Sequence, residues 1–335
     1  MTDQAHRYRQ LGQTDITVSA IAMGCWAIVG DATWGNQIEQ DAIDAMRAAL
    51  DCGITHFDTA EGYGAGYSEE LIAKALGDVR DQVIIGSKVS PNHADSWDDL
   101  REACERSLNC LQTDVIDIYH LHWPNRTRPI ADIIGDFERL RDEGKIRAFA
   151  VSNFGKGDLS ELLANGRCEV NQLPYNLLWR VIEDEITPIC AANDISITCY
   201  SPIAQGLLTG KFATVDSVPE GRARTRHFAC TRPQARHSES GQEQETFTAI
   251  NMIREIAGDI GVSMAELSLA WLLYQPGVAS VLVGARNADQ ARQNAKAMTL
   301  DLGPETLAGL DQATATLKQA FGTNPDMWQT ESRYR

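Results

Sequence analysis

The stretch VIIGSKVSPNHADSWDDLREACERSLNCLQTDVIDIYHLHW, residues 83–123, carries the rhythm that decides the fold. It opens on an apolar, β-branched run at 83–89 and closes on another at 115–123. Between them, DLREACERSLNCL reads as an amphipathic helix. Strand, helix and strand in that order are the repeating unit of a parallel sheet with crossover helices. The rhythm continues outward in both directions. Strand candidates at 18–26, 54–60, 146–153, 169–175, 195–202 and 278–285 bring the total to eight. Helical segments separate them, as in EQDAIDAMRAALDCG, where Ala42, Met46, Ala49 and Leu50 share a face and Gly53 supplies a stop. Others are SEELIAKALG, IIGDFERLRDEG, GDLSELLANG, EDEITPICAAND, AELSLAWLLYQ and NADQARQNAKAM. Eight alternations with no linker predict a single (β/α)8 TIM barrel over residues 1–335 in preference to an open doubly wound sheet.

Three features depart from a bare barrel. Residues 12–15 are suited to turning an N-terminal hairpin against the barrel floor. The segment 212–244, rich in Arg, Ser, Gly, Pro and His and without sustained periodicity, predicts a long loop after the seventh strand, either a ligand lid or a surface insertion. GPETLAGLDQATATLK reads as one more helix, followed by a tail, about 319–335, too polar to fold alone.

Composition narrows the function. Thirty basic against forty-six acidic side chains leave a formal charge of 30 − 46 = −16, which argues against nucleic acid and acidic membranes as partners. The apolar runs are too short or interrupted to span a bilayer, and MTDQAHRYRQ lacks the apolar core of an export signal, so a cytoplasmic protein is expected. Eight scattered cysteines form neither a CxxC pair nor a metal-ligand spacing and read as reduced core residues.

In such barrels the reacting groups come from the C-terminal ends of different strands. The second strand ends FDTAEGYG, with Asp58 at its tip and Tyr63 in the following turn; the third ends IIGSKV, placing Lys88 among apolar neighbours. In DIYHLHWP the period of two puts His120 and His122 on one strand face, with His122 nearer the rim. Each residue alone has a bland explanation, a turn cap, a snorkelling lysine or a core histidine. An acid, a phenol, a lysine and an imidazole at three successive strand ends make the bland explanation poor. A metal-dependent hydrolase is disfavoured, because only His122 and Asp58 qualify as ligands and Lys88 lies between them.

These pieces resemble the aldo-keto reductase family over nearly the whole chain. FDTAEGYG, IIGSKV, DIYHLHWP, IRAFAVSNF, EVNQLPYN, CYSPIAQGLLTGKF and VLVGARNADQARQN stand in the family's order. GLLTGK and GARNADQARQN look most like its bacterial branches of broad aldehyde, ketone and sugar-carbonyl oxidoreductases. The resemblance implies the (β/α)8 fold, an NADP(H) cofactor and a catalytic tetrad of Asp58, Tyr63, Lys88 and His122. Chemistry gives the tetrad its logic: hydride arriving at a carbonyl builds negative charge on oxygen, and Tyr63 is the proton donor. An adjacent Lys88 ammonium should lower the phenol pKa, Asp58 should keep that lysine charged, and His122 should orient the carbonyl. His120, one layer lower, is expected to be structural.

The resemblance also implies a cofactor seat. Ser152, Asn153 and Gln172 match positions that hold the nicotinamide carboxamide, and Tyr200 the ring on which the nicotinamide stacks. Gly206 and Gly210 would let the backbone approach the pyrophosphate with Lys211 adding charge, and Trp26, Ser201 and Leu207 are also expected to contact the cofactor. Gly284 and Arg286 open a helix suited to an anion, with Gln290 and Asn294 turned to the adenine and Arg286 favouring NADP over NAD. Trp26, Trp34 and Trp123 would wall the mouth for a small carbonyl or sugar substrate. Trp179 could equally be rim packing, and Arg222, Arg224 and Arg226 could bind an anionic substrate if the 212–244 loop folds over the pocket. A second class, a redox-sensing regulatory subunit that turns over little, is disfavoured by the retained tetrad.

Overall fold

The computed structural model describes residues 7–30 and 34–335. Residues 1–6, which carry most of the stretch read for an export signal, lie outside the described residues. An antiparallel hairpin, β1 (Tyr8–Gln10) and β2 (Thr17–Ser19), precedes a closed parallel barrel. The barrel strands are β3 (Ile21–Gly24), β4 (His56–Asp58), β5 (Ile84–Val89), β6 (Ile116–Leu121), β7 (Ile146–Ser152), β8 (Val170–Pro174), β9 (Ser196–Tyr200) and β10 (Val278–Gly284), which pairs back onto β3.

The predicted first strand, 18–26, is two elements. Val18 and Ser19 belong to the hairpin, and the barrel strand begins at Ile21. Ser19 makes the break: its hydroxyl donates to Ile21 O at 2.6 Å and accepts from the Thr55 and His56 amides. The hairpin closes the barrel floor with Leu11, Ile16 and Val18, packed in one cluster with Ile118, Ala148, Ala150 and Val170.

The quoted βαβ unit forms as its sequence dictates. Ser96 caps the helix Trp97–Leu111 by accepting from the Asp99 amide at 3.1 Å, and Asp98 and Asp99 lie in its first turn, where the helix dipole favours acid. Leu100, Ala103, Cys104, Ser107 and Leu111 make the buried face. Gly53, with φ of 86°, ends the preceding crossover helix Glu39–Asp51 in the left-handed conformation that its reading as a stop requires.

The segment 212–244 is irregular through most of its length, but Glu243 already begins a helix that the periodicity reading did not single out, Glu243–Asp259, which packs on the C-terminal helix Pro304–Phe321. No single helix among the described residues is long and apolar enough to cross a membrane. Five cysteines are buried; Cys52 and Cys110 are half-buried and Cys230 is exposed, against the expectation of core placement.

Candidate active site

Inward side chains of a parallel barrel stack in layers, and the last layer meets at the rim where the strands end. β4 finishes on Asp58, β5 carries Lys88 in its final turn of the pleat, and His122 directly follows β6. Lys88 is completely buried, with Nζ 2.6 Å from Asp58 Oδ2 and 2.6 Å from Thr59 O. Gln172 Nε2 donates to the other Asp58 oxygen at 2.9 Å. Burial is the strongest single influence on Lys88 and acts against its charge, yet Asp58 and Tyr63 outweigh it and hold the ammonium above its ordinary value.

Tyr63 brings its ring centre to 5.1 Å from Lys88 Nζ. The ammonium does pull the phenol down, as expected, but burial dominates and the net shift is upward. The expectation of a lowered Tyr63 is corrected: desolvating a phenolate costs more than the nearby charge returns. His122 stands edge-on to Tyr63, ring centres 6.0 Å apart. Burial, followed by the Lys88 charge, depresses His122 to about 3, so near neutrality it is an uncharged imidazole with one N–H to donate. His120 lies beneath, bonded through Nδ1 to Ser87 O at 3.2 Å, consistent with its expected structural place.

Trp26 stacks on Tyr63 at 5.9 Å and Trp34 meets Trp26 edge-on at 5.4 Å, so one predicted mouth indole covers the phenol and a second packs behind it. Trp123 faces the chain's tail instead, with the Arg333 guanidinium 3.9 Å from its ring centre. Trp179 is fully buried against Phe321 and belongs to the core.

The other predicted residues gather in two groups. Ser152, Asn153, Gln172 and Tyr200 interlock: Ser152 Oγ donates to Gln172 O at 3.0 Å, Asn153 Nδ2 to Ser152 Oγ at 3.0 Å, and Tyr200 Oη to Asn153 Oδ1 at 2.8 Å. Beyond Tyr200 the backbone takes left-handed turns at Ser201, Ala204, Gln205, Gly206 and Gly210. Such turns present successive N–H groups to an anion. Leu207 is buried within the same turn, and a Cβ at Gly206 would lie 3.3 Å from Lys211 Nζ.

In the second group, Asn287 caps the helix Ala288–Ala295, Gln290 Oε1 accepts from the Arg286 amide at 2.9 Å, and Asn294 Nδ2 donates to Gly284 O at 3.2 Å. Arg286 donates to Gln37 Oε1 and Trp34 O, both at 2.7 Å, and to Asn36 O. Arg222 lies over Trp34 at 4.5 Å. Burial first, then the neighbouring guanidinium, disfavours charge on Lys211 beside Arg222 and on Arg222 beside Arg286. In a chain of net charge −16, Lys211, Arg222 and Arg286 form no ion pair with a carboxylate among the described residues.

Sequence reasoning considered Arg222, Arg224 and Arg226 together as substrate anchors; Arg224 donates to Gln205 Oε1 at 3.3 Å. The structure separates them: Arg226 is buried, paired with Glu239 at 2.9 Å and bonded to main-chain oxygens of Phe321, Asn324 and Asp326. The tail's contribution to this region was missed; three bulky side chains in the otherwise polar MWQTESRYR, Trp328, Arg333 and Tyr334, were the available signal. Among the described residues no three His, Cys, Asp or Glu side chains group as a metal centre.

The Aldo/keto reductase family model matches residues 20–315. The chain is 36% identical over 294 residues to aldo-keto reductase YhdN of Bacillus subtilis, covering 84% of this chain and 86% of that one. It is 33% identical to the NADH-specific methylglyoxal reductase of Escherichia coli, covering 87% and 93%. A Klebsiella pneumoniae aldo/keto reductase solved with NADP and acetate superposes with a TM-score of 0.73 at 32% identity, covering 91% of this chain and 94% of that one.

The chain belongs to the aldo/keto reductase family.

Proposed function

We propose that this member of the aldo/keto reductase family transfers a hydride between NADP(H) and the carbonyl of a small uncharged aldehyde, ketone or sugar, with Tyr63 as general acid and base. The observation that carries this is the buried Asp58–Lys88 pair, 2.6 Å apart, set against the Tyr63 ring beneath an aromatic mouth. A lysine without exposure to water is retained charged here for a neighbour to use.

The residues fit a phosphorylated dinucleotide. Lys211, Arg222 and Arg286 lack carboxylate partners among the described residues, and the left-handed run from Ser201 to Gly210 supplies N–H groups for a diphosphate. Arg286 would take the 2′-phosphate, supporting NADP over NAD, although one relative is described as NADH-specific. Tyr200, Ser152 and Gln172 would hold the nicotinamide end, with the Asn153 amide, whose own hydrogen bonds are all made within the protein, bracing them. Bound there, NADP(H) supplies or accepts the hydride.

The chain's own residues do the rest. The neutral His122 donates a hydrogen bond to the carbonyl oxygen and fixes its direction. Tyr63 gives that oxygen a proton as charge develops on it, and Lys88 stabilises the phenolate left behind. Asp58 keeps Lys88 charged throughout. Trp26 and Trp34 exclude water and supply apolar contact. Arg226, committed to Glu239 and to main-chain oxygens, is not available to a substrate anion, which supports an uncharged substrate.

Screening with NADPH against an aromatic aldehyde, an aliphatic dicarbonyl, a keto sugar and a sugar phosphate tests this. Reduction of activated aldehydes or dicarbonyls is expected. A sugar phosphate turning over far more efficiently than every neutral carbonyl would overturn the substrate class.

A further inference from the structure

The tail after the C-terminal helix is built into the active-site rim. Asp326, wholly buried, accepts from the amides of Trp328, Gln329 and Arg333 and from the Arg333 guanidinium at 2.6 and 2.9 Å, which folds residues 326–333 into a tight loop. Arg226 clamps the start of that loop by donating to Asn324 O at 2.9 Å and Asp326 O at 3.2 Å. At its far end Arg335 O accepts from the Gly157 amide at 2.6 Å, and any Cβ at Gly155 or Gly157 would collide with Arg335. Trp328 lies parallel to Tyr200, 5.9 Å between ring centres, and Tyr334 packs edge-on against Trp123 at 5.6 Å.

This docking delivers one hydroxyl to one amide. Tyr334 Oη, buried, donates to Asn153 Oδ1 at 2.6 Å, beside the Tyr200 hydroxyl on the same oxygen at 2.8 Å. Asn153 Nδ2 donates to His122 O at 3.1 Å and to Ser152 Oγ at 3.0 Å. Both lone pairs and both N–H groups of the amide are therefore in use, on a residue whose φ of 64° already restricts it to the left-handed region. A fully satisfied amide has one orientation. Tyr334 meets the Tyr200 hydroxyl directly, and through the amide it reaches the backbone of His122 and the strand end at Ser152.

We infer that Tyr334 is a positioning residue of the active site, its hydroxyl fixing Asn153 and thereby the Tyr200 ring and the rim beside His122 on which the nicotinamide end of the cofactor is seated. This rests on the proposed cofactor seat. The tail thus completes the site in addition to covering it.

The test compares Tyr334→Phe, which keeps the ring against Trp123 and removes one hydroxyl, with the unaltered chain. Two ligands are titrated by fluorescence, NADPH and 2′-phospho-ADP-ribose, which lacks the nicotinamide. Losing a single hydrogen bond at a buried amide should raise the NADPH dissociation constant about five- to tenfold. Turnover should fall and the thermal midpoint should drop by about two degrees, the cost of one buried hydrogen bond already made in the free protein, while 2′-phospho-ADP-ribose binding stays unchanged. A merely structural role would weaken both ligands together, and that result would overturn the inference. Unchanged NADPH binding would overturn it as well, and tighter NADPH binding would show that the tail competes with the nicotinamide for Tyr200. If neither ligand binds the unaltered chain, the proposed cofactor fails first, a result distinct from a silent Tyr334→Phe.

Discussion

Replacing Lys88 by Met separates what its ammonium does for Tyr63 from what it does for the barrel. Unit charges about 5 Å apart at an effective dielectric near 20 interact by roughly 3 kcal/mol, or about two pKa units. Lys88 Nζ lies 5.1 Å from the ring centre and is hydrogen-bonded to the phenol oxygen, where the charge would sit, so about two units is a lower bound. Burial already holds the phenol above its ordinary value while Lys88 pulls it down, so without the ammonium it should climb by at least about two further units. Alcohol oxidation uses the phenolate, so its acidic limb should move up in pH by roughly the same amount, with a loss on the order of a hundredfold on that limb. The single substitution also strands the buried Asp58 with Gln172 Nε2, at 2.9 Å, as its remaining side-chain donor among the described residues. Breaking a buried ion pair from one side costs about 3–5 kcal/mol. The double variant Asp58→Asn/Lys88→Met removes both charges of the pair and should regain much of that stability without regaining rate. Urea unfolding and the pH profile of NADP-dependent alcohol oxidation, measured on the unaltered chain and both variants, read the two effects separately. An unshifted acidic limb in Lys88→Met would refute the electrostatic link to Tyr63 and leave Lys88 as a partner for Asp58 alone.

For Arg286→Ala, NADPH binding should weaken by roughly tenfold or more, the scale of a hydrogen bond to a charged group, while NADH binding changes little. Equal losses in fluorescence titrations with both cofactors would assign Arg286 to holding Trp34, Asn36 and Gln37. Acid should destabilise the fold before carboxylates are involved, because burial holds His56 and His227 uncharged with values of about 4. Their unfolded values lie near 6.5, so the unfolded chain binds protons first; the stabilisation is complete above about pH 6.5 and is lost as pH falls toward 4. With His120 and His122, which burial likewise holds uncharged, four such groups give a slope on the order of 5 kcal/mol per pH unit in that window, and a flat denaturant midpoint between pH 6.5 and 4.5 would contradict their burial as neutral rings.

The barrel was legible because its signals are local and periodic. β-branched runs such as IIGSKV can pair only as strands, and the spacing in DLREACERSLNCL buries only one helical face. The tetrad was legible for a related reason: strand ends in a closed barrel converge, so residues far apart in sequence meet without any long-range information being needed. What escaped depends on long-range docking. Val18 and Ser19 look continuous with Ile21 until the Ser19 hydroxyl, bonded to Ile21 O and to the amides of the next strand, breaks the run. The tail has no period to read; its order comes from Asp326, Arg226 and the clearance at Gly155 and Gly157. The direction of the Tyr63 shift also lay beyond sequence, since it depends on how completely burial outweighs one ammonium.

Tyr63→Phe tests the central claim most directly, because it removes one oxygen and leaves the ring stacked between Trp26 and the Lys88 ammonium. Cofactor binding should stay close to that of the unaltered chain, and carbonyl reduction should fall at least roughly a hundredfold, the scale of a missing general acid. Full turnover by a correctly folded Tyr63→Phe protein would contradict it.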